Sequence, residues 1–334
     1  MRSNDAAPSE PLTEEDRRLI NALQVAPRAT WKTVGAVLGR DPVTVARRWR
    51  RLTGSGLAWV VSYRTTLRLA IVEIDCPPGS TDTIAAALMQ DPETATIDLT
   101  IGGRDIVATV ASLDEDSLAE YIVRDMSALD TMKATRTHLV TQVVRDARSW
   151  ELRELSADEA TALIEASAPR PPHRPANLTP TERDAVVGAL IRNGRAGPVD
   201  IATMSGISTD RARAALYELL TSGDVTIRTE VARRYSGSPA YAWFFLRASA
   251  RSMDTAIARL STLRDLRLLT RTVGTHNIVM AMWLRSSADI HRVEAVIERT
   301  APDLTIDDRS LVIRTPKHLG WSLTEDGRNA GERQ

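Results

Sequence analysis

The stretch "GRDPVTVARRWRRLTGSGL" (39–57) decides how this chain is read. Asp41-Pro42 is a side-chain cap followed by proline at the first helical position, where its missing N–H costs nothing. Val45, Trp49 and Leu52 then recur at i, i+4 and i+7 and define one buried helix face, while Thr44, Arg47, Arg48 and Arg51 recur on the opposite face. Three guanidinium groups on one exposed face repel one another, and a polyanion rewards that arrangement. Gly54 and Gly56 end the helix, and "LAWVVSYR" (57–64) has the aromatic and β-branched content of a strand.

Upstream, "LTEEDRRLINAL" (12–23) gives a helix that starts at the Thr13 hydroxyl and carries acids in its first turn, with Leu19, Ile20 and Leu23 on one stripe. A second helix, about 30–38, turns Val34, Val37 and Leu38 inward and stops at Gly39. Three short helices, the third basic and followed by a small hairpin, describe a winged helix-turn-helix whose third helix enters the DNA major groove. There Arg47, Arg48 and Arg51 reach guanine edges or phosphates, and Thr44 a base edge or a thymine methyl. Arg40, Arg50 and Arg64 are expected on phosphates.

Downstream, "RLAIVEID", "STDTIAAALMQ", "TATIDLTIG", "DIVATVAS", "DEDSLAEYIVRDMSAL" and "KATRTHLVTQVV" read as β, α, β, β, α and β. That order is the ferredoxin-like split βαβ sandwich. Helices cover one face of such a sheet, so the other, apolar face is expected to find a second sheet.

The whole pattern then repeats. "LTPTERDAVVGAL" (178–190) echoes 12–23, Gly206 echoes Gly39, Gly223 echoes Gly56, and "GTHNIV" (274–279) echoes "GGRDIV" (102–107). The spacing is far longer than the roughly 20–50 residues of a solenoid repeat, so it is a duplicated two-domain unit. The fold class expected is α+β, with two tandem units, each a winged helix-turn-helix followed by a ferredoxin-like βαββαβ sandwich. The boundaries are 12–66 for the first head and 67–150 for the first sandwich. A helix and Pro-rich linker follow at 151–177, including "SAPRPPHRPAN" (167–177). The second head spans 178–236, the second sandwich 237–323, and a tail expected to be disordered 324–334.

In the second head, Ala212, Leu216 and Leu219 keep the buried face, but Thr44 becomes Arg211, Arg47 becomes Ala214, Arg48 becomes Ala215 and Arg51 becomes Glu218. The first head is therefore expected to read DNA, with Arg211 and Arg213 a weaker secondary site at most. The charge agrees. Residues 1–66 carry 11 Lys/Arg against 6 Asp/Glu, 69–150 carry 6 against 14, and 178–236 carry 8 against 7.

The residues "LTEEDRRLINAL", "GRDPVTVARRWRRLTGSGL" and the strand pair around "IGGRDIV" resemble the Lrp/AsnC, or feast/famine, family of transcription regulators. The resemblance runs over nearly the whole chain, twice, where most members carry one unit. It implies double-stranded DNA and a small effector such as an amino acid as partners, and a homodimer or higher even oligomer. It places effector contacts at the loop joining the second and third strands, here Gly102, Gly103, Arg104 and Asp105, and in the second unit Gly274, Thr275, His276 and Asn277.

The single cysteine, Cys76, excludes a disulfide framework and a thiolate zinc site. No apolar run approaches the roughly 18–20 residues of a membrane span, and the first residues lack the apolar core of a signal peptide; a cytoplasmic protein is expected. The alternative is an enzyme resembling siroheme decarboxylases, which share the two-domain build and need histidines and basic residues in the cleft between sheets. The five histidines, His138, His173, His276, His291 and His318, are scattered in sequence, with no metal-ligand spacing and no catalytic arrangement. No catalytic residues, metal or cofactor are therefore expected, and the chain is read as a regulator rather than an enzyme.

Overall fold

A computed structural model describes residues 12–126 and 132–333. The first head forms as the sequence predicts, from α1 (Glu14–Val25), α2 (Trp31–Leu38) and α3 (Pro42–Gly54). The Thr13 hydroxyl accepts from the Asp16 N–H and the Asp16 carboxylate from the Thr13 N–H, closing a capping box. Asp41 accepts from the N–H groups of Val43 and Thr44. Leu19, Ile20, Leu23, Val45, Trp49 and Leu52 are all buried in one core; a fully buried leucine such as Leu52 contributes about 2 kcal/mol to it.

The wing departs from the expectation. β1 (Ala58–Arg64) is followed by β2 (Arg68–Asp75) after three residues, too few to turn back as its own hairpin partner. The first body continues with α4 (Thr81–Met89), β3 (Thr94–Gly102), β4 (Ile106–Ser112), α5 (Glu115–Glu120) and β5 (Ala134–Arg145). Then come α6 (Ala157–Ser167) and the second head, α7 (Pro180–Arg192), α8 (Pro198–Ser205) and α9 (Thr209–Thr221), ending in β6 (Val225–Val231). β1 pairs antiparallel with β6, from Ala58↔Val231 to Arg64↔Val225. Each head thus lends one strand to a shared ribbon. Helix α6 packs on the first head through the buried Leu163. The heads are further locked by reciprocal arginines: Arg28 donates to the carbonyls of Gly194 and Ala196, and Arg195 to those of Pro27 and Ala29.

The second body repeats the first, with β7 (Ala240–Ala248), α10 (Met253–Leu260), β8 (Leu266–Val273), β9 (Ile278–Leu284), α11 (Ile290–Thr300) and β10 (Leu304–His318). The two four-stranded sheets run β3-β4-β2-β5 and β8-β9-β7-β10. β5 pairs with β8, and β10 pairs with both β3 and β7, so the strands close into an eight-stranded barrel. Closure removes every edge of the two sheets. The open sheet face expected to seek a partner finds it inside the same chain. Helices lie outside, over one apolar core in each body, and Ile71, Val107, Trp243, Phe245, Val279 and Val312 fill the interior.

The tail expected to be disordered is ordered through residue 333. β11 (Trp321–Leu323) and β12 (Asn329–Arg333) form a hairpin beside β10. Trp321 and Leu323 pack on the first head's core, and the Asn329 N–H donates to the Gly56 carbonyl. Gly56 is required there: its φ is +68°, and a Cβ would collide with the Asn329 backbone. No helix among the described residues is long and apolar enough to cross a membrane.

Candidate functional site

Three places stand out, and two of them gather the residues singled out by sequence. The first is the outer face of α3. Val43, 70% exposed, and Thr44 occupy its first turn, and Arg47 and Arg50 project from it with no partner among the described residues. Arg48 and Arg51 are not free. Arg48 pairs with Glu15 and with Asp16 (2.9 Å), Arg51 with Asp16 (2.5 Å), and Arg40 with Glu15 (2.5 Å). Burial alone would raise the pKa of Asp16, which is 1% exposed, but Arg51, Arg48 and Thr13 hold the carboxyl below its usual range. The hydrogen bond from Arg40, and the nearby Arg48, do the same for Glu15. Of the expected ridge of three outward guanidiniums only Arg47 is free; Arg48 and Arg51 are partly neutralised by α1, as is Arg40, while Arg50 projects unpaired beside Arg47. Arg64 is not on a free wing: it sits half-buried on the shared ribbon and bonds Asp184 at 2.7 Å.

In the second head, α9 is tied down. Arg211 donates to both oxygens of Glu182 and to the carbonyls of Ala176 and Asn177 in the linker, and Arg213 pairs with Asp210. The Arg211 hydrogen bond lowers the Glu182 pKa to about 2. Ala214 and Ala215, expected on the outer face, are buried in the head's core, and Glu218 accepts the Ala176 N–H. The linker lies across this helix.

The second place was not foreseen. A cavity of about 610 Å³ lies between the barrel and the paired heads, within the usual span for small-molecule sites. Arg68, Arg148, Arg228, Arg267 and Arg333 line it, with Tyr63 and His318. At its wall Arg228 reaches His318 Nε2 (3.2 Å) and Arg267 reaches Nδ1 (3.4 Å). Burial holds His318 below its ordinary pKa against the pull of Glu230. A neutral imidazole accepts at only one nitrogen, so one of the two guanidiniums keeps an unused donor. Arg267 Nε is buried without a hydrogen bond, and the group stacks 4.3 Å from the Tyr241 ring centroid. Burial pushes the Tyr63 hydroxyl up to about 12. Arg228 pairs with Glu230, Arg148 with Asp146 (3.1 Å) and Arg68 with Glu115 (3.7 Å), so Arg267 is the wall group best placed to receive a carboxylate. Sequence spacing gave no hint of it, because its residues come from both units and both ribbon strands.

The third place joins the two strand-connecting loops. Arg104 and His276, 172 positions apart, meet at one buried carboxylate, Glu73. Arg104 Nε lies 2.5 Å from Glu73 Oε2, and its other nitrogens bond Asp308 (2.7 Å) and Ser310 (2.9 Å). His138 Nε2 lies 2.5 Å from Glu73 Oε1. Phe245 packs against the Arg104 guanidinium at 3.9 Å and against both imidazoles. Asp105 accepts the Cys76 N–H, and Asn277 bonds the Ala248 backbone, so both brace their loops. Gly102 and Gly103 pass so close to Arg309 and Asp308, and Gly274 to His138, that a Cβ would clash at each. Thr275 offers its carbonyl to Arg247. The two loops, expected to serve separate sites, converge on one, and none of their residues lines the large cavity.

Residues 12–53 match the AsnC-type helix-turn-helix domain, and residues 69–150 match the Lrp/AsnC ligand binding domain. An uncharacterised HTH-type transcriptional regulator of Pyrococcus horikoshii is 25% identical over 138 residues, covering 40% of this chain and 87% of the relative. A counterpart in Pyrococcus abyssi matches to the same extent. The crystal structure of the siroheme decarboxylase NirDL is similar over 92% of this chain and 93% of that one, with a TM-score of 0.57 at 13% identity. Its co-complex with an iron-uroporphyrin III analogue gives 0.58 at 14% over the same shares. This likeness is one of fold, and it spans both units. It corrects the expectation that the chain is not an enzyme, since an enzyme is built on this same two-unit frame. The supporting argument from scattered histidines falls too: the rings of His138 and His276 lie 5.3 Å apart, and His318 sits between two arginines.

Proposed function

We propose that this chain, which belongs to the Lrp/AsnC family through its unit at residues 12–150, is a DNA-binding regulator. In this reading it reads the major groove with the first head alone and takes a carboxylate effector in the cavity between barrel and heads. The observation that carries the reading is the difference between the two third helices. α3 leaves Val43, Thr44, Arg47 and Arg50 outward, while the arginines of α9 are spent on Glu182, Asp210 and the linker. An apolar residue and a hydroxyl in the first turn suit thymine methyls and base edges, and the unpaired arginines suit guanine and phosphate. One reading head per chain implies that a two-fold operator takes two chains. The cavity reaches Tyr63 and Arg64 on β1 and Arg228 on β6, so its occupant touches the ribbon that carries both heads.

The test is binding to duplexes selected from a random pool. Arg47→Ala should weaken binding by about 1–3 kcal/mol, and Arg213→Ala should leave it nearly unchanged. Equal losses, or none for Arg47→Ala, overturn the reading. A second reading is favoured by the cavity itself, whose volume and arginine lining suit a polycarboxylate tetrapyrrole as ligand or substrate. Titration with an iron-uroporphyrin, followed by its absorbance, separates the two: saturable binding lost in Arg267→Ala supports the tetrapyrrole.

A further inference from the structure

We propose that Glu73, His138 and His276 form a binding site for one divalent first-row transition-metal ion of the zinc or cobalt kind, where the two strand-connecting loops meet. One ligand atom from each residue lies within 4.8 Å of the others. Glu73 Oε1 is the shared point, 2.5 Å from His138 Nε2 and 3.9 Å from His276 Nδ1. Zinc bonds of about 2.0–2.2 Å put tetrahedral ligand atoms roughly 3.3 Å apart, so the Glu73–His138 contact opens by about 0.8 Å, the Glu73–His276 contact closes by about 0.6 Å, and the two imidazole nitrogens, within 4.8 Å of each other, close by up to about 1.5 Å.

Three further observations point the same way. His276 is 7% exposed, and its Nδ1 is buried with no hydrogen-bond partner while facing a carboxylate oxygen. Its other nitrogen, Nε2, faces Asp307 at 3.7 Å. A proton held on that side leaves the Nδ1 lone pair opposed to Oε1, a repulsion that a cation between them relieves. Secondly, Arg104 grips Glu73 by the other oxygen, Oε2, and is itself fixed by Asp308 and Ser310; the carboxylate is thereby aimed with Oε1 toward the histidines. Thirdly, the surrounding charge is net negative, which favours a cation: Glu73, Asp75, Asp307 and Asp308 stand against Arg104, Arg136 and Arg247, with Arg136 3.8 Å from Glu73 Oε2, on the side away from the histidines. Metal entry displaces the proton between His138 Nε2 and Oε1, which passes to His138 Nδ1. Two imidazoles and one carboxylate, with positions left for water, are a donor set for zinc, cobalt or nickel rather than calcium or magnesium.

The experiment uses the full chain, stripped with chelator and dialysed. Zinc is titrated calorimetrically, and cobalt is followed by its visible d–d absorption. One ion per chain is expected. His276→Asn, which keeps a polar side chain at this buried loop position, and Glu73→Gln should each weaken binding by at least about tenfold and abolish the cobalt band. His291→Asn, at an exposed histidine paired with Glu294, should change neither. Sub-stoichiometric uptake by the folded wild-type chain overturns the site, as does binding that survives His276→Asn or disappears in His291→Asn.

Discussion

Glu15→Gln isolates how much of the first head's charge is available to DNA. Glu15 is half-buried, lies outside the α1 capping box, holds Arg40 at 2.5 Å and shares Arg48 with Asp16. Glutamine keeps its size and removes its charge, so the head should fold unchanged. Each phosphate contact contributes about −0.9 to the slope of log K against log salt. With only Arg47 and Arg50 free, the α3 face supplies a slope of about −1.8; freeing Arg40, while Arg48 stays on Asp16, brings it toward about −2.7. Across a fourfold rise in salt, that difference changes the ratio of variant to wild-type affinity by about threefold. The assay is fluorescence anisotropy on a labelled duplex of unselected sequence, because the phosphate term does not depend on base identity. The variant should bind more tightly at low salt and lose that advantage as salt rises. Parallel lines for the two proteins would refute the reasoning, since they would mean that Arg40 does not face the duplex.

Two further outcomes bear on stability. Asp16→Asn leaves Arg48 and Arg51 without their buried carboxylate and should cost about 2–3 kcal/mol in denaturant unfolding. Because the folded pKa of Asp16 is depressed, its contribution is complete at neutral pH and fades as pH falls through the folded value, so the gap between variant and wild type should close below about pH 4. Arg195→Ala removes two bonds to the Pro27 and Ala29 carbonyls and a stack 4.1 Å from the Trp31 ring, and should cost about 3 kcal/mol. Arg28→Ala, its reciprocal, should cost a similar amount, and a loss below about 0.5 kcal/mol in either would mean that the heads are held by the ribbon alone.

What was legible in the sequence is what local chemistry fixes. Asp41-Pro42, the Val45/Trp49/Leu52 spacing and Gly39 locate α3 and its buried face correctly, because caps and periodicity act within a few residues. The paired carboxylates were harder. Glu15 and Asp16 read as first-turn acids on α1, and only the tertiary crossing of α1 and α3 brings Arg48 and Arg51 onto them. The ribbon and the barrel seams join strands more than 100 residues apart, and no local pattern encodes which of several compatible edges will meet. One signal was available: "AYAWFFLRA" (240–248) is apolar on both faces, the mark of a strand buried on two sides. It foretells a closed interior rather than an open sheet. The histidines misled for the same reason, since their separation in sequence says nothing about strands that lie side by side.

The position of Glu73 in the first body is held by Phe245 in the second, and that of Arg104 by His276. A pair of identical subunits could not do this, because whatever one copy places beside the axis the other must place there too, and two acids would confront each other. Tethering the halves lifts that constraint. One half supplies the anion, the other an aromatic wall, and a lone charged centre survives where symmetry would have demanded two or none.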